Sequence, residues 1–146
     1  MRRYSIAPLE LIVAARLLAD YVGDHDFLAR AVSAAYYALF RAVCVGVADE
    51  WFGADEIARN SDNWRHMCRG VNHGDALRAC KNKTLLRELP QIFSDFTEIF
   101  IKLNLDRNLA DYDPHIVFSL NSVLQDIDEA ERAFLGFEAA DSARRR

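Results

Sequence analysis

Residues 27–51 read FLARAVSAAYYALFRAVCVGVADEW and form the most apolar stretch of the chain. Apolar residues occur on nearly every side of the helix that this stretch would form, which is typical of a helix surrounded by other helices. Small residues such as Ala31 and Ala35 would let neighbouring helices approach closely, and Tyr36 and Phe40 would fill the space around them. The stretch therefore predicts the central helix of a helical bundle.

Three more segments carry apolar residues at spacings of three and four, as amphipathic helices do. We predict that these helices begin at about Pro8, Pro90 and Pro114, because proline is well tolerated in the first turn of a helix. Residues 52–84 have a less regular pattern, which predicts short helices joined by turns such as Asn72–Asp75. Six Gly and three Pro are too few for the many turns of a β-sandwich or barrel, so we predict an all-α fold.

The composition is that of one globular domain, with 51% hydrophobic and 27% charged residues in a chain of 146. We assign residues 1–140 to a single domain and residues 141–146 to a charged C-terminal tail. The net charge of −4 argues against a protein that holds long nucleic acid by a positive field over its whole surface. Local basic patches stay open, and residues 144–146 are one, although terminal charge runs are commonly solvated ends.

No stretch reaches the roughly 18 uninterrupted apolar residues of a membrane helix. Residues 1–20 carry charged side chains where a signal peptide would have its apolar core. We therefore expect a cytoplasmic protein with no membrane association. The three cysteines, Cys44, Cys68 and Cys80, are an odd number, and at least two lie in apolar helical segments. Reduced thiols are expected, in keeping with that compartment.

Residues 106–115 read DRNLADYDPH and are predicted to form the loop with the densest polar chemistry. Pro114 disfavours a helical conformation at the preceding residue, so we predict Asp113 as the N-cap of the last helix and His115 as its second residue. The positive end of the helix dipole would favour a neutral imidazole there, a form that accepts a proton at neutral pH. Free backbone N–H groups at this helix start, together with the Arg107 guanidinium, suit a phosphate. The segment thus predicts a phosphate site with a neutral base beside it.

The same segment also fits an ordinary surface loop, in which Arg107 pairs with a neighbouring aspartate and His115 is solvated. His73 precedes a glycine and is interpreted as a residue of a turn or helix end, or else as one that projects into the cleft. Tyr36 and Tyr37 point about 100° apart on a helix. One of these rings is therefore expected in the core, and the hydroxyl of the other near the cleft.

Residues that could suggest other chemistry do not have the required spacing. Zinc ligands come in closely spaced pairs, whereas no C-x-x-C pair occurs here. Ser33 has no acid–base partner at a recognisable spacing, and no glycine-rich phosphate loop is present. We expect neither a metal ion nor a cofactor, and we expect no metal site among the scattered residues His66, Cys68, His73 and Cys80.

Two blocks of the sequence occur in the same order as in a known superfamily. Residues 30–41, RAVSAAYYALFR, and residues 107–114, RNLADYDP, resemble the R-A-x-S-x-A-Y-Y-A-x-F helix and the R-x-x-A-D-Y-D-P segment of bacterial HEPN (nucleotide-binding) proteins. The Asn72–Gly74 turn with Cys80 after it is similar to a segment of the same branch. The resemblance implies an up-and-down bundle of four to five main helices. It also implies a homodimer whose two active clefts meet near the interface.

The resemblance further implies an activity, because many members of the superfamily are metal-independent endoribonucleases. Their Arg, often followed by Asn, holds the phosphate, and a His further along acts on the ribose 2′-hydroxyl. Arg107 and Asn108 match the first two positions, and His115 is the expected catalytic His. Seven residues separate His115 from Arg107, one more than the usual limit, so their convergence requires a bend at Asp113–Pro114. The residues expected to bind the ligand beside them are Asp111, Tyr112, Tyr37 and His73.

Other branches of the superfamily have no working His and act as binding or partner modules. The resemblance therefore leaves two functions open. One is a metal-independent endoribonuclease that belongs to a toxin–antitoxin pair. The other is a non-catalytic module that binds a nucleotide, RNA or a nucleotidyltransferase. The expected partners are RNA or a nucleotide, a second copy of the chain, and a nucleotidyltransferase antitoxin.

Overall fold

The structure is a computed structural model that describes residues 7–21 and 25–145. Within those ranges every regular element is an α-helix, which confirms the all-α prediction. The helices are α1 (Pro8–Ala19), α2 (His25–Phe52), α3 (Glu56–Arg59), α4 (Asp62–Gly70), α5 (His73–Cys80), α6 (Lys83–Arg87), α7 (Gln91–Tyr112) and α8 (Leu120–Arg145).

The four longest helices, α1, α2, α7 and α8, pack against one another as a helical bundle. The 28-residue α2 contacts the other three and buries residues on several sides, as its apolar sequence predicts. Phe100 from α7 and Ile127 from α8 are completely buried against it. The remaining buried apolar residues of this core include Ile12, Ala15, Ala31, Val32, Ala35, Tyr36, Leu39, Phe96, Leu103, Val123, Ala130 and Phe134.

The short helix α4 closes a second, smaller cluster on the distal half of α2. Trp64 is 1% exposed, and its indole Nε1 donates a hydrogen bond to Asp49 at 3.0 Å. Asp49 also accepts hydrogen bonds from Arg59 at 2.9 and 2.6 Å, so its buried carboxylate is well compensated. The thiols of Cys44 and Cys68 lie in this cluster, and they and Cys80 are buried and free, as expected of reduced cysteines.

The last helix begins at Leu120, so the predicted start at Pro114 is wrong. Residues 106–112 are the final turns of α7 and not a loop. Asp113 does not cap a helix; its side chain accepts a hydrogen bond from the backbone N–H of His115 at 2.9 Å and closes a turn. Ser119 takes the place predicted for Asp113, because its hydroxyl accepts a hydrogen bond from the N–H of Ser122 at 3.1 Å.

Two further sequence-based expectations concern the C-terminal residues and the location of the protein. Residues 141–145 were expected in a charged tail, but they continue α8, and Arg146 lies outside the described residues. By length and composition, the segment Asp26–Phe52 could also cross a membrane, because its most apolar 18 residues have a mean hydropathy of 1.6. Half of those 18 residues are buried inside the protein, as in the core helix of a bundle. The cytoplasmic location stays a prediction.

Candidate functional site

One face of α2 supplies the wall of the candidate site. Ser33, Tyr36, Tyr37 and Phe40 are spaced by three and four residues, so they project from the same side of the helix. Tyr36 is completely buried and contacts Phe100 of α7, with ring centroids 5.4 Å apart. Tyr37 is 37% exposed and meets the Tyr36 ring edge-on. The wall therefore runs from the core to the surface.

Arg107 enters this site from the C-terminal part of α7. It follows the buried residues Phe100 and Leu103 on the inward face of the helix and is itself only 9% exposed. Its guanidinium carbon lies 4.9 Å from the centroid of the Tyr36 ring, a cation–π contact. Its Nη1 is 3.7 Å from Asp111 Oδ2, and its buried Nε has no hydrogen-bond partner among the described residues. A buried cation is therefore left with unfilled hydrogen-bonding capacity.

His73 enters from the N-terminal end of α5, where it is the first helical residue. The Asn72 side chain caps this helix by accepting a hydrogen bond from Asp75 N at 2.8 Å. His73 Nδ1 lies 2.7 Å from the Tyr36 hydroxyl oxygen. The imidazole stacks on Phe40, with centroids 3.9 Å apart, and faces the edge of Tyr37. These contacts fix the plane of the histidine ring.

Asp111 joins α7 to α2 on the outer side of the site. Ser33 Oγ donates a hydrogen bond to Asp111 Oδ1 at 2.7 Å, while the other carboxylate oxygen faces Arg107. Because Asp111 follows Arg107 by four residues, the two side chains lie on the same face of α7. We name Ser33, Tyr36, His73, Arg107 and Asp111 the Arg107 cluster.

Burial and charge set the protonation of the Arg107 cluster. Burial, with a smaller contribution from the positive charge of Arg107, lowers the pKa of His73 below its ordinary value of 6.5. Burial raises the pKa of Tyr36 to about 12, and Arg107 acts in the opposite direction. At neutral pH His73 is therefore neutral and Tyr36 is protonated. In one tautomer of His73 the Tyr36 hydroxyl donates a hydrogen bond to Nδ1, and in the other Nδ1–H donates one to the Tyr36 oxygen.

The structure brings together four of the residues singled out from the sequence: Arg107, Asp111, His73 and Tyr37. Asn108, the residue after Arg107 in α7, is exposed, and Tyr112 is 75% exposed at the end of α7. His115 is exposed in the turn that follows, where its backbone N–H is bound to Asp113. The position at a helix start, predicted for His115, is occupied by His73, the first residue of α5. The role of His115 stays a prediction.

Sequence reasoning missed the part that three α2 residues play in the site. The sequence patterns indicate Tyr36 and Phe40 as packing residues, and Ser33 as a small residue without an acid–base partner. The available signal was the spacing itself, because positions 33, 36, 37 and 40 form one helical stripe that contains all three hydroxyl-bearing residues of the apolar segment 27–51. A polar stripe on a central helix predicts a partner, which here is Asp111 and His73.

A shallow cavity of about 370 Å³ lies on the other side of the RNLADYDP segment. Its polar lining comes from the carboxylates of Asp26, Asp111 and Asp113, with Tyr112 at its edge. Three carboxylates repel an anion. This cavity is therefore not suited to a phosphate.

Comparisons with protein-family models, with curated proteins and with solved structures found no match to this chain. The likeness to HEPN proteins thus depends on the two sequence blocks quoted above. Both blocks contribute to the Arg107 cluster, the first through Ser33 and Tyr36 and the second through Arg107 and Asp111. Within residues 7–21 and 25–145, no three His, Cys, Asp or Glu side chains are grouped so as to hold a metal ion.

Proposed function

We propose that this chain is a HEPN-type domain that cleaves RNA without a metal ion. In this proposal Arg107 binds the scissile phosphate and His73 is the acid–base group. The observation that supports it is the state of Arg107, a residue only 9% exposed whose Nε has no hydrogen-bond partner among the described residues, next to a neutral histidine. A bound anion would accept the hydrogen bonds that the Arg107 guanidinium leaves unmade and would lie next to the His73 imidazole.

The environment of Arg107 favours a ligand over a purely structural role. Burying a guanidinium is costly unless its hydrogen bonds are satisfied. Asp111 Oδ2, at 3.7 Å, lies beyond hydrogen-bond distance and is already positioned by Ser33 through the other oxygen of the carboxylate. A phosphate offers two oxygens to the planar guanidinium and would satisfy Nε and a terminal nitrogen together.

The proposed reaction uses the tautomer of His73 in which Nδ1 carries the hydrogen and donates it to the Tyr36 oxygen. His73 Nε2 then accepts the proton of a ribose 2′-hydroxyl as the 2′-oxygen attacks phosphorus. The new bond joins O2′ to phosphorus, and the bond from phosphorus to the 5′-oxygen breaks. The protonated imidazole returns its proton to the leaving 5′-oxygen. The products are a 2′,3′-cyclic phosphate and a 5′-hydroxyl, and Arg107 stabilises the extra negative charge of the transition state.

His73 is preferred over His115 as the acid–base group because of its contacts. Tyr36 touches both His73 and Arg107, whereas His115 is an exposed residue of the turn after α7. Asn108 is exposed next to Arg107 and is assigned to the substrate strand and not to the proton transfer. The homodimer and the nucleotidyltransferase antitoxin stay in the proposal as implications of the sequence resemblance.

Incubation of the purified protein with a fluorescent single-stranded RNA in excess chelator tests the proposal. We expect cleavage that leaves a cyclic phosphate and is abolished by Arg107→Gln and by His73→Gln. Cleavage that survives both substitutions, or that needs an added metal ion, contradicts it. Loss of cleavage in His115→Gln together with full activity in His73→Gln would return the acid–base role to His115.

A non-catalytic nucleotide- or RNA-binding module is the second candidate. It is favoured by the confinement of His73, whose ring is stacked on Phe40, faces Tyr37 and uses one nitrogen to contact Tyr36. Such a ring serves equally well as a hydrogen-bond donor to a bound phosphate. Binding of RNA that depends on Arg107, without any cleavage, would identify this second function.

A further inference from the structure

Positive charge is concentrated in the short helices between α2 and α7. Residues 59–87 contain seven Lys and Arg against two Asp, a net charge of +5, so the rest of the chain carries −9 within the total of −4. This segment comprises α4, which packs on α2, α5, which packs on α2 and α7, and α6, which packs on α5. The acidic bundle therefore carries one basic layer, and that layer includes His73.

Some of this charge is compensated by ion pairs and some is not. Of the seven basic residues, Arg59 pairs with Asp49, Arg65 with Asp62 and Arg78 with Asp75. By contrast, four exposed residues form no ion pair within the part of the chain that the structure describes: Arg69, Lys81, Lys83 and Arg87.

Lys81, Lys83 and Arg87 line one groove of about 650 Å³ between α5, α6 and the start of α7. We name this the basic groove. The amide of Gln91 and the hydroxyls of Ser94 and Thr97 also line it, against one carboxylate, Glu98. Three cations with neutral hydrogen-bonding groups between them suit a chain of phosphates and sugar hydroxyls.

The basic groove and the Arg107 cluster lie at opposite ends of α5. His73 is the first residue of this helix, and Cys80, its last residue, lines the groove next to Lys81. Eight residues of α-helix span roughly 12 Å. A nucleic acid strand covers that distance in about three to four steps at the duplex rise of about 3.4 Å per nucleotide. One short strand can therefore reach both places.

We propose that the basic groove binds the backbone of single-stranded RNA a few nucleotides away from the phosphate held at Arg107. The inference deepens the proposed function and rests on it for the nature of the ligand. It adds to that function a second contact with the RNA strand, away from the cleaved phosphate. An acidic protein segment would also be attracted to three cations, but the continuity with a buried arginine and a neutral histidine favours a phosphate chain.

The test compares two variants with the same net charge. Lys81→Gln/Lys83→Gln/Arg87→Gln removes three positive charges from the basic groove. Arg132→Glu/Ala139→Glu lowers the net charge by the same three units at exposed positions of α8. Affinity is measured by fluorescence anisotropy with a labelled single-stranded RNA of twelve uridines, over a range of salt concentrations. Circular dichroism checks that both variants remain folded, and binding of uridine 3′-monophosphate reports on Arg107 alone.

We expect the groove variant to bind the oligonucleotide at least tenfold more weakly. The slope of log affinity against log salt concentration should fall by about 2, since each phosphate contact to a single strand contributes about 0.7. The α8 variant should keep most of the affinity, and both should bind the mononucleotide as the unmodified protein does.

Three outcomes overturn the inference. These are equal oligonucleotide binding by the groove variant and the unmodified protein, an equal loss in both variants, and polyglutamate that competes as well as RNA does. Failure of the proposed function looks different. In that case the oligonucleotide still binds through the basic groove, while Arg107→Gln changes neither mononucleotide binding nor cleavage.

Discussion

The Tyr36 hydroxyl oxygen lies 2.7 Å from His73 Nδ1, while the ring of the same tyrosine lies beneath the Arg107 guanidinium at 4.9 Å. One buried side chain thus holds both the cation and the neutral base of the candidate site. Tyr36 is not placed to touch a substrate, because it is completely buried. It is a positioning residue, and the following predictions begin with it.

Tyr36→Phe keeps the ring under Arg107 and removes the hydrogen bond to His73. We expect RNA cleavage to fall by roughly tenfold in kcat with little change in KM. The free energy of unfolding should drop by about 1 kcal/mol, the usual net value of one hydrogen bond. Tyr21→Phe, at an exposed tyrosine outside the Arg107 cluster, is the control. An unchanged kcat in Tyr36→Phe contradicts the positioning role.

Cleavage should depend on pH through His73. Because burial and Arg107 lower the pKa of His73 below 6.5, the active neutral form is already present at neutral pH, and activity should fall only as pH drops below that value. The free energy of unfolding should also fall at low pH. A histidine whose pKa is lower in the folded state than in the unfolded state destabilises the fold as pH falls from the unfolded-state pKa through the folded-state pKa. A profile of kcat/KM with its acidic limb centred above 6.5 would contradict this assignment.

Arg107→Met should abolish phosphate binding at little cost in stability. The guanidinium has an unpartnered Nε and a loose contact with Asp111, so its removal forfeits few satisfied interactions. We expect the free energy of unfolding to change by less than about 1 kcal/mol. Chemical denaturation measures the change. A loss of several kcal/mol would show that Arg107 is structural.

Asp49→Ala provides the opposite case of a buried charge. Asp49 is 3% exposed and accepts hydrogen bonds from Arg59 and Trp64. Removal of a partner from such a network typically costs about 3–5 kcal/mol. We expect a large fall in the denaturation midpoint, and Asp49→Asn should recover part of it. Retention of the unmodified midpoint in Asp49→Ala would contradict the structural role of the network.

We expect the free energy of unfolding to fall as pH rises, because the Asp126 carboxyl is buried. It is 2% exposed between α7 and α8, and burial together with Asp106 raises its pKa to about 7, against the opposing effect of Lys102 at 3.2 Å. A carboxyl whose pKa is raised in the folded state stabilises the protein below its unfolded pKa and loses that contribution as pH rises through about 7.

Asp126→Asn should remove this dependence and be the more stable protein above that pH, by on the order of 1 kcal/mol. Denaturation at several pH values measures it, and Asp128→Asn, at a more exposed carboxylate of α8, is the control. Parallel pH profiles for Asp126→Asn and the unmodified protein would contradict the prediction.

The central helix and the apolar faces of α7 and α8 could be predicted from the sequence because their spacing is local information. The start of α8 could not, because Pro114 is compatible with a helix start and with a turn, and the side chain of Asp113 decides between them by binding the His115 N–H. His73 was expected in the cleft with Arg107, but the contact that joins these two residues was out of reach. They are 34 positions apart, and α2 brings them together through Tyr36.

The Asn72 cap has a consequence for the timing of site assembly. A helix of eight residues such as α5 is too short to persist without tertiary support, and its first residue is the histidine of the candidate site. The ordering of α5 and the arrival of the imidazole beside Arg107 are therefore one event. Any ligand that bridges the two groups shifts the local folding equilibrium of α5 toward the helical state. Amide hydrogens along residues 76–80 would then exchange more slowly with solvent in the bound protein.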